Sequence, residues 1–107
     1  MKKVVKFGGS SLASAEQFEK VGKIIRAEEG RRYVIPSAPG RRFDGDAKVT
    51  DMLYSCYRIA EQGQDFSGML ANIRGRYEEI TSGLELPVSL QEEFETIEEN
   101  LDRKSVV

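Results

Sequence analysis

Val4, Val5 and Phe7 form a short apolar, β-branched run that stops at Gly8-Gly9-Ser10-Ser11. This pattern predicts a strand over residues 2–7. The period then changes: Leu12, Ala15, Phe18, Val21, Ile24 and Ile25 recur at helical spacing and predict an amphipathic helix over 12–29. Gly30 stands where a helix C-cap is expected. Tyr33-Val34-Ile35 make a second short strand, which Pro36 limits. Strand, helix and strand at this spacing give a βαβ unit with a parallel pair and a right-handed crossover.

Beyond a loop at 38–47 the pattern is helical. A second helix is predicted over 48–62, with Val49, Leu53, Cys56 and Ala60 on one face and Gly63 at its end. A third follows over 65–82 through Phe66, Leu70, Ile73, Tyr77 and Ile80, and Gly75 weakens it by about 1 kcal/mol relative to alanine. Pro87 and Ser89 open a fourth. There Ser89 and Glu92 fit a capping box, and Leu90, Phe94, Ile97 and Leu101 form a stripe suited to packing on the third helix. Ser105-Val106-Val107 bring no obvious closing element. Two parallel strands are too few for a self-standing doubly wound sheet, which needs cover on both faces. The expectation is the N-terminal part of a larger α/β domain. In it, 1–62 is a βαβα substrate- and phosphate-binding part and 63–107 a helical hairpin.

Length and composition narrow the function classes. The 107 residues suffice for one small domain, and 39% hydrophobic with 32% charged residues describes a globular chain. No apolar run approaches the roughly 20 residues of a membrane helix, and no secretory pattern follows Met1. Cys56 is the one cysteine, so no internal disulfide forms, which fits a reducing cytoplasm and a small buried side chain. Histidine is absent, which excludes His/Cys zinc sites and Ser-His-Asp hydrolysis within the chain. Phosphoryl transfer is not excluded, because it needs positioning and charge neutralisation more than a protein base.

The net charge of −2 hides an asymmetry. Residues 1–54 hold 11 Lys/Arg against 7 Asp/Glu, and residues 55–107 hold 5 against 11. The basic half carries the glycine turn, which suits an anionic ligand. Its cations are scattered without interleaved aromatics, so nucleic acid is not the expected partner.

Three segments could carry chemistry. Lys6-Phe7-Gly8-Gly9-Ser10-Ser11 places a cation, bare backbone and two hydroxyls at a helix start, a ready anion site. It is equally a tight strand-to-helix turn with Ser10 or Ser11 as N-cap. It is neither a Walker P-loop nor a GxGxxG fingerprint. Ser37-Ala38-Pro39-Gly40 follows the second strand, beside the first turn, where open α/β sheets bind ligands; it is also an ordinary Pro-Gly turn. Lys48-Val49-Thr50-Asp51 opens the second helix, and Thr50 or Asp51 either caps it or faces a substrate.

Taken together, Lys-Phe-Gly-Gly-Ser-Ser, Val-Ile-Pro-Ser-Ala-Pro-Gly-Arg-Arg and Lys-Val-Thr-Asp-Met-Leu-Tyr resemble the aspartate kinases of the amino-acid kinase family in order and spacing. The likeness covers residues 1–57 by motif and the later helices in character. It implies a carbamate kinase-like fold, here an incomplete three-layer sandwich of short parallel strands and about four helices. It implies that Lys6 contacts the ATP phosphates and stabilises the transferring group, that Gly8 and Gly9 amides cradle phosphate with Ser10, and that Ser37 and Thr50 bind L-aspartate. Mg²⁺ accompanies the nucleotide, and no ligand for it can be named in this chain. The implied reaction moves the ATP γ-phosphate to the aspartate side-chain carboxylate, giving 4-phospho-L-aspartate, the first step toward lysine, threonine and methionine. The family's further length, comprising the second half of the kinase domain and ACT domains, has no counterpart here, nor does the glutamate that grips substrate. A cytoplasmic homo-oligomer is implied for the parent, and no turnover is expected from these 107 residues alone. Two alternatives are a kinase of glutamate derivatives or carbamate, which would not share Lys48-Val49-Thr50-Asp51, and a non-catalytic helical assembly module.

Overall fold

The computed structural model describes residues 1–105; the expectation for Val106-Val107 lies outside the described residues. Strands β1 (Lys3–Phe7) and β2 (Arg31–Pro36) pair in parallel, with helix α1 (Ala15–Arg26) between them in sequence. Helices α2 (Val49–Glu61), α3 (Ser67–Gly83) and α4 (Gln91–Ser105) follow. The architecture is the expected α/β arrangement, an incomplete sandwich.

The start of α1 differs from the sequence expectation. Gly9–Leu12 coil into a separate 3₁₀ turn, and α1 begins only after Ser14, whose Oγ accepts from the Gln17 N–H at 3.4 Å. Ser14 has the extended backbone (φ −149°, ψ 168°) that an N-cap needs, so neither Ser10 nor Ser11 caps this helix. At its other end α1 stops at Arg26, with Ala27 as C-cap. Gly30 instead precedes β2, and its carbonyl accepts from Lys3 and Arg32 amides.

Helices α2 and α3 match the predicted spans within two residues, and α4 begins at Gln91, after the expected opening at Pro87 and Ser89; each carries a stripe that has a partner to bury it. Val49, Met52, Cys56 and Ala60 of α2 meet Phe66 and, from α3, Leu70 and Ile73; Phe94 and Leu101 of α4 close the cluster. Phe94 meets the Tyr77 ring edge-on at 6.0 Å, and the Arg74 guanidinium lies 4.9 Å from its centroid. Thus α4 lies chiefly against α2 and reaches α3 through these side chains, so the packing on the third helix expected from sequence is the lesser of its two contacts. The chain leaves α2 through Gly63 at φ 72°, a conformation that favours glycine. The capping box before α4 takes another form: Ser89 Oγ accepts from Gln91 N, two residues on, rather than from Glu92.

The sheet contributes nothing to this core. Val4 and Tyr33, which pair with each other, are 61% and 53% exposed, and Ile35, paired with Lys6, is 50% exposed. These four side chains share one uncovered face. The radius of gyration, 16.0 Å, exceeds the roughly 13 Å expected for a compact chain of this length. Among the described residues no helix is long and apolar enough to cross a membrane.

Gly75 lies inside α3, where an added Cβ would meet nothing within 4 Å. Gly75→Ala is therefore expected to stabilise the chain by about 0.5–1 kcal/mol in urea unfolding, the helix-interior difference between the two residues. A lower stability would show that this surface of α3 is not open.

Candidate functional site

Backbone geometry brings the three sequence segments together. The Ser37 amide donates to Phe7 O at 3.0 Å, extending the parallel ladder past Pro36. The next contact is tighter: Gly40 N donates to Gly9 O at 2.8 Å, and the two glycine backbones touch. A Cβ on Gly40 would come within 2.6 Å of the Gly9 carbonyl carbon and 2.9 Å of Ser10 N. A Cβ on Gly9 would sit 3.2 Å from Ala38 O and from the Gly40 Cα. Pro39 O then accepts the Val49 amide at 3.0 Å, which ties the first turn of α2 to the same loop.

The result is a cleft of ≈ 450 Å³ whose lining includes Gly9, Ser10, Ser37, Gly40 and Thr50. Of the residues selected from sequence, Gly9, Ser10, Ser37 and Thr50 therefore share one site, whereas Lys6 and Gly8 are not among its lining. Lys6 is exposed on the open face of the sheet and forms no ion pair among the described residues. Gly8 is extended (φ −75°) with open space where a side chain would be, so the fold itself does not require glycine there.

The mouth of α2 resolves an alternative left open by sequence. Lys48 is the N-cap residue and supplies no side-chain cap, while Thr50 and Asp51 lie inside the first turn. The hydroxyls of Ser10, Ser37 and Thr50 make no hydrogen bond with other described residues and are free to meet a ligand. Two further cleft residues, Lys48 and Arg41, lie in segments noted from sequence but were given no role there; Arg41 Nε donates to Asp46 O at 3.0 Å. The signal was present in the basic excess of the first half, but a loop cation has no periodicity to reveal which way it points. No carboxylate lines the cleft, and the described residues contain no acidic cluster able to hold a metal. These residues therefore suit an anion and do not fit a resident magnesium site.

Behind the cleft lies a charged cluster that the sequence did not reveal. Arg76, on α3, is 5% exposed; it donates from Nη2 to Gly40 O at 2.6 Å and from Nη1 to Ala47 O at 2.8 Å. Asp46 Oδ2 lies 3.7 Å from the same guanidinium and 2.7 Å from Arg42 Nε. Arg42 also donates from its amide and Nη2 to Asp46, and from Nη1 to Glu79 at 3.0 Å. The Arg42 hydrogen bonds hold the Asp46 carboxyl well below the ordinary aspartate range. Cys56 is fully buried, and burial pushes its thiol up, so it is packing and not a nucleophile.

Comparison with known proteins gives the site a context. No family model matches the chain. Half of it, 54 residues, is 54% identical to Aspartokinase 3 of Bacillus subtilis (strain 168), covering 12% of that protein. The structure superposes on crystalline Clostridium acetobutylicum aspartate kinase with a TM-score of 0.89 and 42% identity, over 94% of this chain and 23% of that one. These matches support an aspartate kinase fragment. The chain thus spans less than a quarter of the length of either kinase.

Two predictions follow from the fragment's geometry. Gly40→Ala is expected to cost about 1–3 kcal/mol in denaturant unfolding, because backbone must move to admit the methyl group. Gly8→Ala should stay within about 0.5 kcal/mol of the parent chain; equal losses at both positions would refute the backbone crossing. The second concerns acid. A carboxyl whose folded pKa is depressed contributes stability above its unfolded value, 3.8 for aspartate, and that contribution disappears as pH falls through the folded value. Stability should therefore drop from about pH 5 downward, and Asp46→Asn should make that acid slope shallower. An unchanged slope would show that the Arg42–Asp46 pair does not contribute.

Proposed function

We propose that this chain is the phosphate- and acceptor-binding part of an aspartate kinase. The parent transfers the ATP γ-phosphate to the side-chain carboxylate of L-aspartate, giving 4-phospho-L-aspartate for amino-acid (lysine) biosynthesis in the cytoplasm. The observation that carries this reading is the single cleft that gathers Gly9, Ser10, Ser37 and Thr50 from three separate segments, with cations and no carboxylate in its lining.

On this reading each group has a defined task. ATP, entering as its magnesium complex, is a substrate, and its phosphates meet the amides of Gly8 and Gly9 and the Ser10 hydroxyl. A glycine at position 8, which the fold does not need, allows a phosphate to approach the backbone closely. Lys6 supplies a charge to the transferring group from the adjoining strand, and Ser37 and Thr50 donate hydroxyls to aspartate. The acceptor carboxylate is already ionised at neutral pH, so no general base is needed and the absence of histidine is coherent. The chemical obstacle is repulsion between carboxylate and triphosphate, which fixed donors and cations offset. Residues 1–62 form this binding part, and 63–107 buttress it. Homo-oligomerisation of the parent is supported by the apolar surface left open at Tyr54 and Tyr57 on α2 and at Val4, Tyr33 and Ile35 on the sheet.

The test is a titration of the ¹⁵N-labelled chain with MgATP and then L-aspartate. MgATP is expected to shift the Gly8, Gly9 and Ser10 amides, and L-aspartate the Ser37 and Thr50 signals, with no aspartyl phosphate formed. Lys6→Ala should weaken MgATP binding by about tenfold or more, the loss of one charge-assisted contact. Unmoved Gly8–Ser10 signals at millimolar nucleotide, or equal affinity in the Lys6 variant, would overturn the assignment.

A further inference from the structure

Arg76 is the most deeply placed charge among the described residues, and the site as described does not use it. Charged side chains are almost never this buried unless something holds them, and here the partners are unusual. The guanidinium does not serve α3. Its two terminal nitrogens reach out of the helix to the carbonyls of Gly40 and Ala47, near the two ends of the basic loop. Asp46, inside that loop, lies 3.7 Å away and provides the counter-charge.

Each of these contacts leads to the cleft in one step. Gly40, whose carbonyl Arg76 holds, uses its own amide to hold Gly9 O. Ala47 is followed by Lys48 and by Val49, whose amide is bound by Pro39 O. Arg76 thus fixes, from the side away from the ligand, the peptide that touches the glycine turn and the residue that leads into Thr50. The guanidinium spreads its donors over two nitrogens in a rigid planar fork, so each carbonyl meets its own nitrogen; a lysine would have to serve both from the three donors of a single ammonium nitrogen on a flexible stem.

We propose that Arg76 is a positioning residue for the cleft: through Gly40 and Ala47 it sets the spacing between the phosphate-side turn at Gly9 and the acceptor-side hydroxyl at Thr50. Its effect on ligand binding rests on the reading given under Proposed function; the holding of the loop does not.

Amide hydrogen exchange on the labelled 107-residue chain separates the two. In Arg76→Met, exchange at Gly40 and Val49 is expected to accelerate by about tenfold or more relative to Cys56 in α2 and Val21 in α1. Arg76→Lys should fall between, since it keeps the charge beside Asp46 but loses the fork. In the same variants, MgATP affinity read at Gly9 and Ser10 should drop for methionine and recover in part for lysine. Uniform acceleration at all four amides, or none, would overturn the proposal, because a purely structural arginine destabilises the whole fold evenly. Should the methionine variant fail to fold, the lysine variant decides by the same comparison. If the parent chain binds no MgATP, the functional reading fails, and the exchange pattern still decides the role of Arg76 in holding the loop.

Discussion

Gly9 and Gly40 meet with no side chain between them, and the Gly40 amide satisfies the Gly9 carbonyl at 2.8 Å. This crossing is what turns two ordinary strand-end turns into opposite walls of one cleft. A single such hydrogen bond contributes only about 0.5–1.5 kcal/mol net, too little to hold two loops on its own. It works because its neighbours are made at the same time: Ser37 N to Phe7 O on one side, Val49 N to Pro39 O on the other, and Arg76 on the outward carbonyl of Gly40. The second wall is therefore tied to the sheet, to α2 and to α3. Removing the space at either glycine would push on three elements at once.

Charge follows the same division of labour. The cleft is lined by Arg41 and Lys48 and by no carboxylate, while the acidic excess of the chain lies on the later helices. Arg42, next to Arg41 in sequence, faces the opposite way and is spent on Asp46 and Glu79. Those acidic partners raise its already high pKa further, so it stays a cation under any ordinary condition. Two adjacent arginines thus face different ways: Arg41 lines the cleft while its Nε donates to Asp46 O at 3.0 Å, and Arg42 is engaged by the Asp46 and Glu79 carboxylates. A buried pair broken on one side leaves an uncompensated charge, which makes the Arg42–Asp46–Arg76 cluster more valuable for specifying one loop conformation than for raw stability.

What was legible in the sequence is what periodicity encodes. The three later helices appear because apolar residues repeat at 3.6 and find partners in the core, and the strands because short apolar, β-branched runs mark them even though the sheet lies outside that core. The start of α1 was misread because Ser10, Ser11 and Ser14 are all competent caps, and only the 3₁₀ turn over Gly9–Leu12 selects the last of them. Gly8 and Gly9 look alike in sequence, yet one stands in open space and the other is pressed against Ala38 and Gly40. That distinction depends on a contact 30 residues away. Arg76 had a faint signature: it falls on the stripe of Ile73 and Ile80, where a surface arginine has no reason to be. Its carbonyl partners, being backbone, leave no trace in sequence.

Lys6 shows how far a local motif depends on what surrounds it. It alternates with Val4 on β1 and faces outward with Tyr33 and Ile35, so a cation shares a face with three exposed apolar side chains. In water a unit charge 4 Å from a phosphate oxygen is worth about 1 kcal/mol, and roughly four times that where the effective dielectric falls to about 20. On the proposed reading, the apolar neighbours supply that change only when something covers the face and excludes water. The 107-residue chain thus holds its donors in place through the glycine crossing but leaves Lys6 exposed to water on the open face of the sheet. On that reading phosphate binding is weakened but not abolished by such a loss, since several amides and hydroxyls share the load. Stabilising a transferring phosphoryl group does not, because it depends on charge acting in a water-poor site, and that is the physical reason to expect ligand binding without turnover here.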